Sequence, residues 1–144
     1  MAKVFTSIVD INNYVENACA IALEAVAKRM TEELESYIRE DFYNQYRPRI
    51  YDRTYQLLKS PKYNMLNSKS AEIFIDIDSI HYLIDDPNYS YDKTDIVKLA
   101  SMGYHGTTNI FRPGMFWEDF IDWCNKNVPH LMKTEFKKQG IHVK

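Results

Sequence analysis

The side chains here that could do covalent or metal chemistry are few and poorly spaced for it. Four histidines are present, His81, His105, His130 and His142, and none lies three or four residues from another, so no helical metal pair can form. His81 stands near Asp76, Asp78 and Asp85, which could gather a cation, but their spacing matches no ion-binding loop. His105, followed by Gly106, reads as a turn residue rather than a general base. Cys19 and Cys124 occupy apolar positions of helical patterns and belong to no Cys-x-x-Cys or metal-spaced set. They read as buried free thiols of a protein made in a reducing cytoplasm. With only four glycines there is no phosphate-cradling loop. No catalytic, metal or cofactor residue is assigned, and the chain is expected not to be an enzyme.

A different chemistry is concentrated between Tyr43 and Ser60. That stretch holds four tyrosines (Tyr43, Tyr46, Tyr51, Tyr55) and three arginines (Arg47, Arg49, Arg53). Such side chains bind partners through planar faces and forked hydrogen bonds. The stretch reads as an assembly surface. Interleaved with the tyrosines, the arginines and Lys59 could grip phosphates and stack bases. The overall charge favours instead pairing with carboxylates of an adjacent subunit, such as those of 71–96, with salt bridges within their own fold a comparable reading.

The elements that must position this surface follow from periodicity. Apolar residues recur at Val15, Cys19, Ala22, Val26, Met30, Leu34, Ile38, Phe42 and Tyr46, which predicts one long helix from Asn13 to Tyr46 with a single buried stripe. Asp10 and Asn13 are its candidate caps. At 1.5 Å per residue it would be roughly 50 Å long, more than a compact domain of about 30 Å needs, so it is broken or one end projects. Pro48 stops or bends it. A short helical turn around Tyr55 and Leu58 ends at Pro61, and Tyr63–Leu66 is a weak strand followed by a turn at 67–70. Ala71, Ile73, Ile75 and Ile77 alternate with Glu72, Phe74, Asp76 and Asp78, the clearest strand in the chain. Ile80–Ile84 is a further strand or a turn of helix, and 85–93 an exposed loop. Thr94 caps a short helix that Gly103 stops. Residues 104–114 form a loop or hairpin. The last helix starts near Met115 with Trp117, Phe120, Ile121, Cys124, Val128, Leu131, Met132 and Phe136 as its stripe; it kinks at Pro129 and ends at Gly140. The expected fold is α+β in a single domain, 1–144: a small, mainly antiparallel sheet packed by a long N-terminal helix and a kinked C-terminal helix.

Composition sets the outer limits. At 144 residues the chain can bury a core without disulfide or metal. Eleven tyrosines make it aromatic-rich, which suits either a tyrosine-rich core or an interface. The net charge of −2 argues against a dedicated nucleic-acid binder. Its distribution alternates: −3 over residues 1–47, +4 over 48–70, −6 over 71–96 and +3 over 97–144. Alternation of this kind suits edge-to-edge docking of copies, or else solvated faces of separate elements. Met1 to Val9 carries one lysine and no long apolar run, and no eighteen consecutive apolar residues occur, so neither a cleaved signal nor a membrane contact is expected.

Tyr46, Pro48, Tyr51, Arg53, Thr54, Leu57 or Leu58, and Ser60 together resemble the head–tail joining proteins of long-tailed bacteriophages, the neck or tail-completion family. The strand after them and an aromatic last helix opening with Phe116-Trp117 fit the same outline, over about two thirds of the chain. The acidic loop Asp85–Asp92 and the His105-Gly106 segment depart from it. The resemblance implies a virion protein at the head–tail junction, made in the host bacterial cytoplasm. Its partners would be copies of itself in a six-fold or twelve-fold ring, adjacent portal or head-closure and tail proteins, and weakly the DNA in the channel. No cofactor is implied. The candidate interface residues are Tyr46, Arg47, Arg49, Tyr51, Arg53 and Thr54, joined by Tyr89, Tyr91 and His105 from loops expected to order on docking. The alternative is a small cytoplasmic adaptor or a nucleic-acid-binding regulatory module.

Overall fold

Ser7 opens the first element. Its backbone is extended and its hydroxyl accepts the Asp10 N–H at 3.1 Å, an N-cap that satisfies one of the free amides of the first turn. In the computed structural model, which describes residues 3–45, 47, 54–81, 93–102 and 115–143, helix α1 therefore spans Ile8–Tyr37. It starts ahead of the predicted Asn13 because Ser7, rather than Asp10 or Asn13, is the cap.

Beyond Tyr37 the backbone continues as a π-helical segment, Ile38–Tyr43, with the Asn44 N–H reaching back to the Arg39 carbonyl at 2.8 Å. Each such i→i+5 bond takes in one residue more than an α-helical bond, so the face presented downstream rotates. The predicted stripe is buried at Ala22, Val26, Leu34 and Ile38 and then slips. Tyr43, only 9% exposed, takes the core position expected for Phe42, which packs at the edge of the core. Val15 is exposed and Cys19 half-buried, and Tyr46 lies outside the described residues.

Leu57–Lys59 makes one 3-10 turn, and Pro61 begins a strand rather than merely ending the turn. Strands β1 (Pro61–Asn67) and β2 (Ser70–Ile75) pair antiparallel, with Tyr63 opposite Ile73, Asn64 opposite Glu72 and an irregularity between Met65 and Asn67. The alternation predicted for β2 holds: Ile73 and Ile75 turn inward, Glu72 and Phe74 outward. The strand ends at Ile75 instead of running on. There the Asp76 N–H bonds to the Ser60 carbonyl at 2.8 Å, and the chain turns through a 3-10 segment, Ile77–Ser79. Ile80 is fully buried. The rest of the predicted Ile80–Ile84 element beyond His81, and the loops at 85–92 and 103–114, lie outside the described residues.

Helix α2 is Lys93–Ser101, so Thr94 sits inside it rather than capping it. Helix α3, Phe116–Lys138, is continuous through Pro129. Its inward face follows the predicted stripe from Phe120 through Cys124, Val128, Leu131, Met132 and Phe136, and departs from it at the start. Phe116 and Phe120 are core residues at 0% and 2% exposure, while Trp117 and Ile121 stand 36% and 41% exposed. Gly140 stops the helix as predicted. At φ +81° its N–H bonds to Lys137 and the Ile141 N–H to Phe136, the paired bonds of a Schellman cap.

Helices α1 and α3 pack together and run antiparallel. The Tyr14 hydroxyl donates to the Gln139 carbonyl at one end, and Tyr37 stands beside Asp119 at the other. The hairpin lies against α1, where Tyr63 bonds Glu24 at 3.5 Å and Ser68 bonds Glu16 at 3.4 Å. The fold is α+β, with long N-terminal helix, antiparallel hairpin and C-terminal helix packed as one. The main cluster, Leu34, Ile38, Tyr43, Leu57, Ile80, Ala100, Phe116 and Phe120, sits where α1 ends and α3 begins. At the opposite end α1 outruns α3, and Ile8, Ile11 and Val15 stay exposed.

Candidate assembly surface

The tyrosine–arginine stretch is held by its two flanks. Tyr43, at the end of the π-helical segment, is wedged edge-on against Phe42 with ring centroids 5.1 Å apart. The Tyr55 ring stacks on Tyr43 with centroids 4.9 Å apart and planes 27° from parallel. Both rings belong to the stretch, Tyr43 at its start and Tyr55 toward its end, so their stacking brings those two positions together. Tyr55 reaches this position with a left-handed backbone, φ +55°, unusual for a residue with a Cβ. It remains 44% exposed.

Downstream the anchoring is firmer. Leu57 is buried, and Leu58 packs half-buried against the core. Ser60 is fully buried and satisfied: its hydroxyl donates to the Leu57 carbonyl at 2.7 Å, and its own carbonyl takes the Asp76 N–H. The Gln56 side-chain oxygen accepts the His81 N–H at 2.7 Å, tying the stretch to the segment that leaves the hairpin. Leu57 and Ser60 are thus scaffold. Of the candidate interface residues, Arg47 and Thr54 are exposed on the surface. Tyr46, Arg49, Tyr51, Arg53, Tyr89, Tyr91 and His105 lie outside the described residues.

Next to this surface the fold brings together carboxylates that sequence reading had kept apart. Asp41, in the π-helical segment, faces Asp119 in the first turn of α3, and its Oδ2 is buried without a hydrogen-bond partner. Burial first, then the charges of Asp119 and Glu40, push the Asp41 carboxyl above its ordinary range. Tyr37 is raised as well, by burial and then by Glu33, Asp119, Asp41 and Glu40. Cys124, also near Glu33, is pushed up to about 11, chiefly by burial. Its thiol therefore stays protonated, the opposite of an activated nucleophile. No local motif could announce the Asp41–Asp119 pair, because its members belong to helices at opposite ends of the chain.

Among the described residues, no three His, Cys, Asp or Glu side chains converge to hold a metal ion, and no helix is long and apolar enough to cross a membrane. His81 is exposed, and Asp85 of the possible cation cluster lies outside the described residues. What the site offers is a tyrosine clamp, exposed polar flanks and an acidic neighbour, an arrangement suited to docking.

No curated protein and no solved structure matches the chain. One family model does, YomN, over residues 7–138, from the N-cap of α1 to the last residue of α3. The chain is therefore a member of the YomN family, a phage-associated family that bears the name of a gene from a Bacillus prophage region.

Proposed function

We propose that this protein is a structural component of the bacteriophage particle, a member of the neck or tail-completion ring that joins the DNA-filled head to the tail. It acts by docking rather than by catalysis, and it resides in the virion after synthesis in the host cytoplasm. The observation that carries this reading is how the described parts of the tyrosine–arginine stretch are fixed: Tyr43 and Tyr55 stack, Leu57 and Ser60 are buried, and Arg47 and Thr54 are exposed. A sequence this rich in planar, forked side chains, with Tyr43, Tyr55, Leu57 and Ser60 fixed in this way, suits a docking interface. Membership of a phage-associated family supports the same reading. Copies of the chain would form a symmetric ring, with portal-side and tail-side proteins on its two faces.

The test is quantitative mass spectrometry of purified particles, counting copies of the chain per particle. About six or twelve copies are expected for a junction ring. Absence from particles that are otherwise complete overturns the proposal.

A further inference from the structure

Helix α3 divides its charge along its length. Glu118, Asp119 and Asp122 lie in its first turns, whereas Lys126, Lys133, Lys137 and Lys138 lie in the remainder. Cations near a helix C-terminus complement its dipole, which accounts for having them there. It does not account for their alignment. Lys126, His130, Lys133 and Lys137 follow one another in steps of four, three and four residues, which places them on a single ridge of the helix about 16 Å long. All four are exposed. Among the described residues, none of the three lysines has a carboxylate within ion-pair reach, in contrast to Lys138, which is held by Glu135 at 2.6 Å.

We infer that this ridge binds the phosphate backbone of DNA, without regard to sequence. Two observations favour a nucleic acid over an acidic protein surface. First, the exposed large apolar residues of α3, Trp117 and Ile121, all lie in its opening turns, and none lies beside the ridge. A protein interface draws its stability from apolar anchors, which the ridge lacks, whereas phosphates need only charge. Second, the charges are lysines, point cations without the arginine fork that reads base edges, so they grip the backbone and leave the sequence unread. At about 3.4 Å of rise per nucleotide, the ridge spans about five base pairs of duplex. Three lysines and one histidine cannot hold DNA tightly, which agrees with the chain's net charge of −2 and suits a strand that must pass rather than stay. The inference deepens the junction reading and rests on it for its role, but purified chain shows DNA binding or fails to show it whatever the particle count, so the two fail separately.

The experiment is fluorescence anisotropy of the full chain with a labelled duplex of about 20 base pairs, titrated over a range of salt. Binding with a Kd of about 10⁻⁴–10⁻⁶ M at physiological salt is expected, falling with a log–log salt slope of about −3 and unchanged for a shuffled duplex. Replacing Lys126→Gln, Lys133→Gln and Lys137→Gln together should weaken binding by about tenfold or more at low salt and flatten the slope to about zero. The control pair Lys62→Gln and Lys69→Gln on the hairpin should change neither. If the triple variant is unfolded by circular dichroism, Lys133→Gln alone should still lower the slope by about one. Absence of binding by the wild-type chain overturns the inference. So do equal losses in the hairpin control, and equally tight binding of poly-glutamate at the same ionic strength.

Discussion

At Asp41, burial and two neighbouring carboxylates oppose ionisation in the folded chain, and the unfolded chain has no such opposition. Its folded pKa therefore lies above the ordinary value of 3.8. The stabilising balance is fully present below that value and is lost as pH rises through the folded pKa, so at neutral pH ionised Asp41 works against the fold. Asp41→Asn keeps the shape, removes the charge and can donate to Asp119. Thermal melts should show the variant more stable than wild type at pH 7, with the gap closing as pH approaches 3.8. Tyr55 offers a second check, because its left-handed backbone costs about 1–2 kcal/mol for any residue with a Cβ, while its stack on Tyr43 returns about 0.5–1.5 kcal/mol. Tyr55→Ala loses the stack and keeps the cost; Tyr55→Gly loses both. In urea melts Tyr55→Ala should therefore be the less stable of the two by about 1 kcal/mol.

Among the elements, those governed by local pattern were legible and those governed by packing were not. The period-two run at Ala71–Ile75 placed β2 in the right phase, and Gly140 marked the end of α3. The π-helical segment left no trace in the sequence. An inserted residue in a helix costs no change of residue type, so an ideal period carried on through Ile38 assigned Phe42 the place that Tyr43 fills. Trp117 and Ile121 were misplaced for a related reason. Their spacing with Phe120 fits a stripe, yet Phe116 anchors α3 one residue earlier and rotates both outward. Of the candidate surface, the residue types were legible, whereas the stacking of Tyr55 on Tyr43 and the Asp41–Asp119 pair depend on tertiary approach that no spacing encodes. The cap of α3 supplies its own test. A Cβ added at Gly140 would stand 3.1 Å from the Tyr14 hydroxyl on a backbone at φ +81°. Gly140→Ala should therefore destabilise the chain by about 1–2 kcal/mol, read in urea melts.

At the scale of the whole molecule, the two long helices form an antiparallel pair with its main core at one end and its chain ends at the other. Lys3 lies over the Tyr14 ring with its Nζ 4.2 Å from the centroid, Phe5 packs on the same ring, and the Tyr14 hydroxyl holds the Gln139 carbonyl. One tyrosine thus gathers both ends of the described chain. Tension drawn between those ends would not be shared along the helix pair. It would fall first on the Tyr14 contact and then on each turn behind it, parting α1 from α3 as a zipper opens. The fold is mechanically soft along that one axis. A subunit that must bear load would have to take it across its flanks, and leave its ends slack.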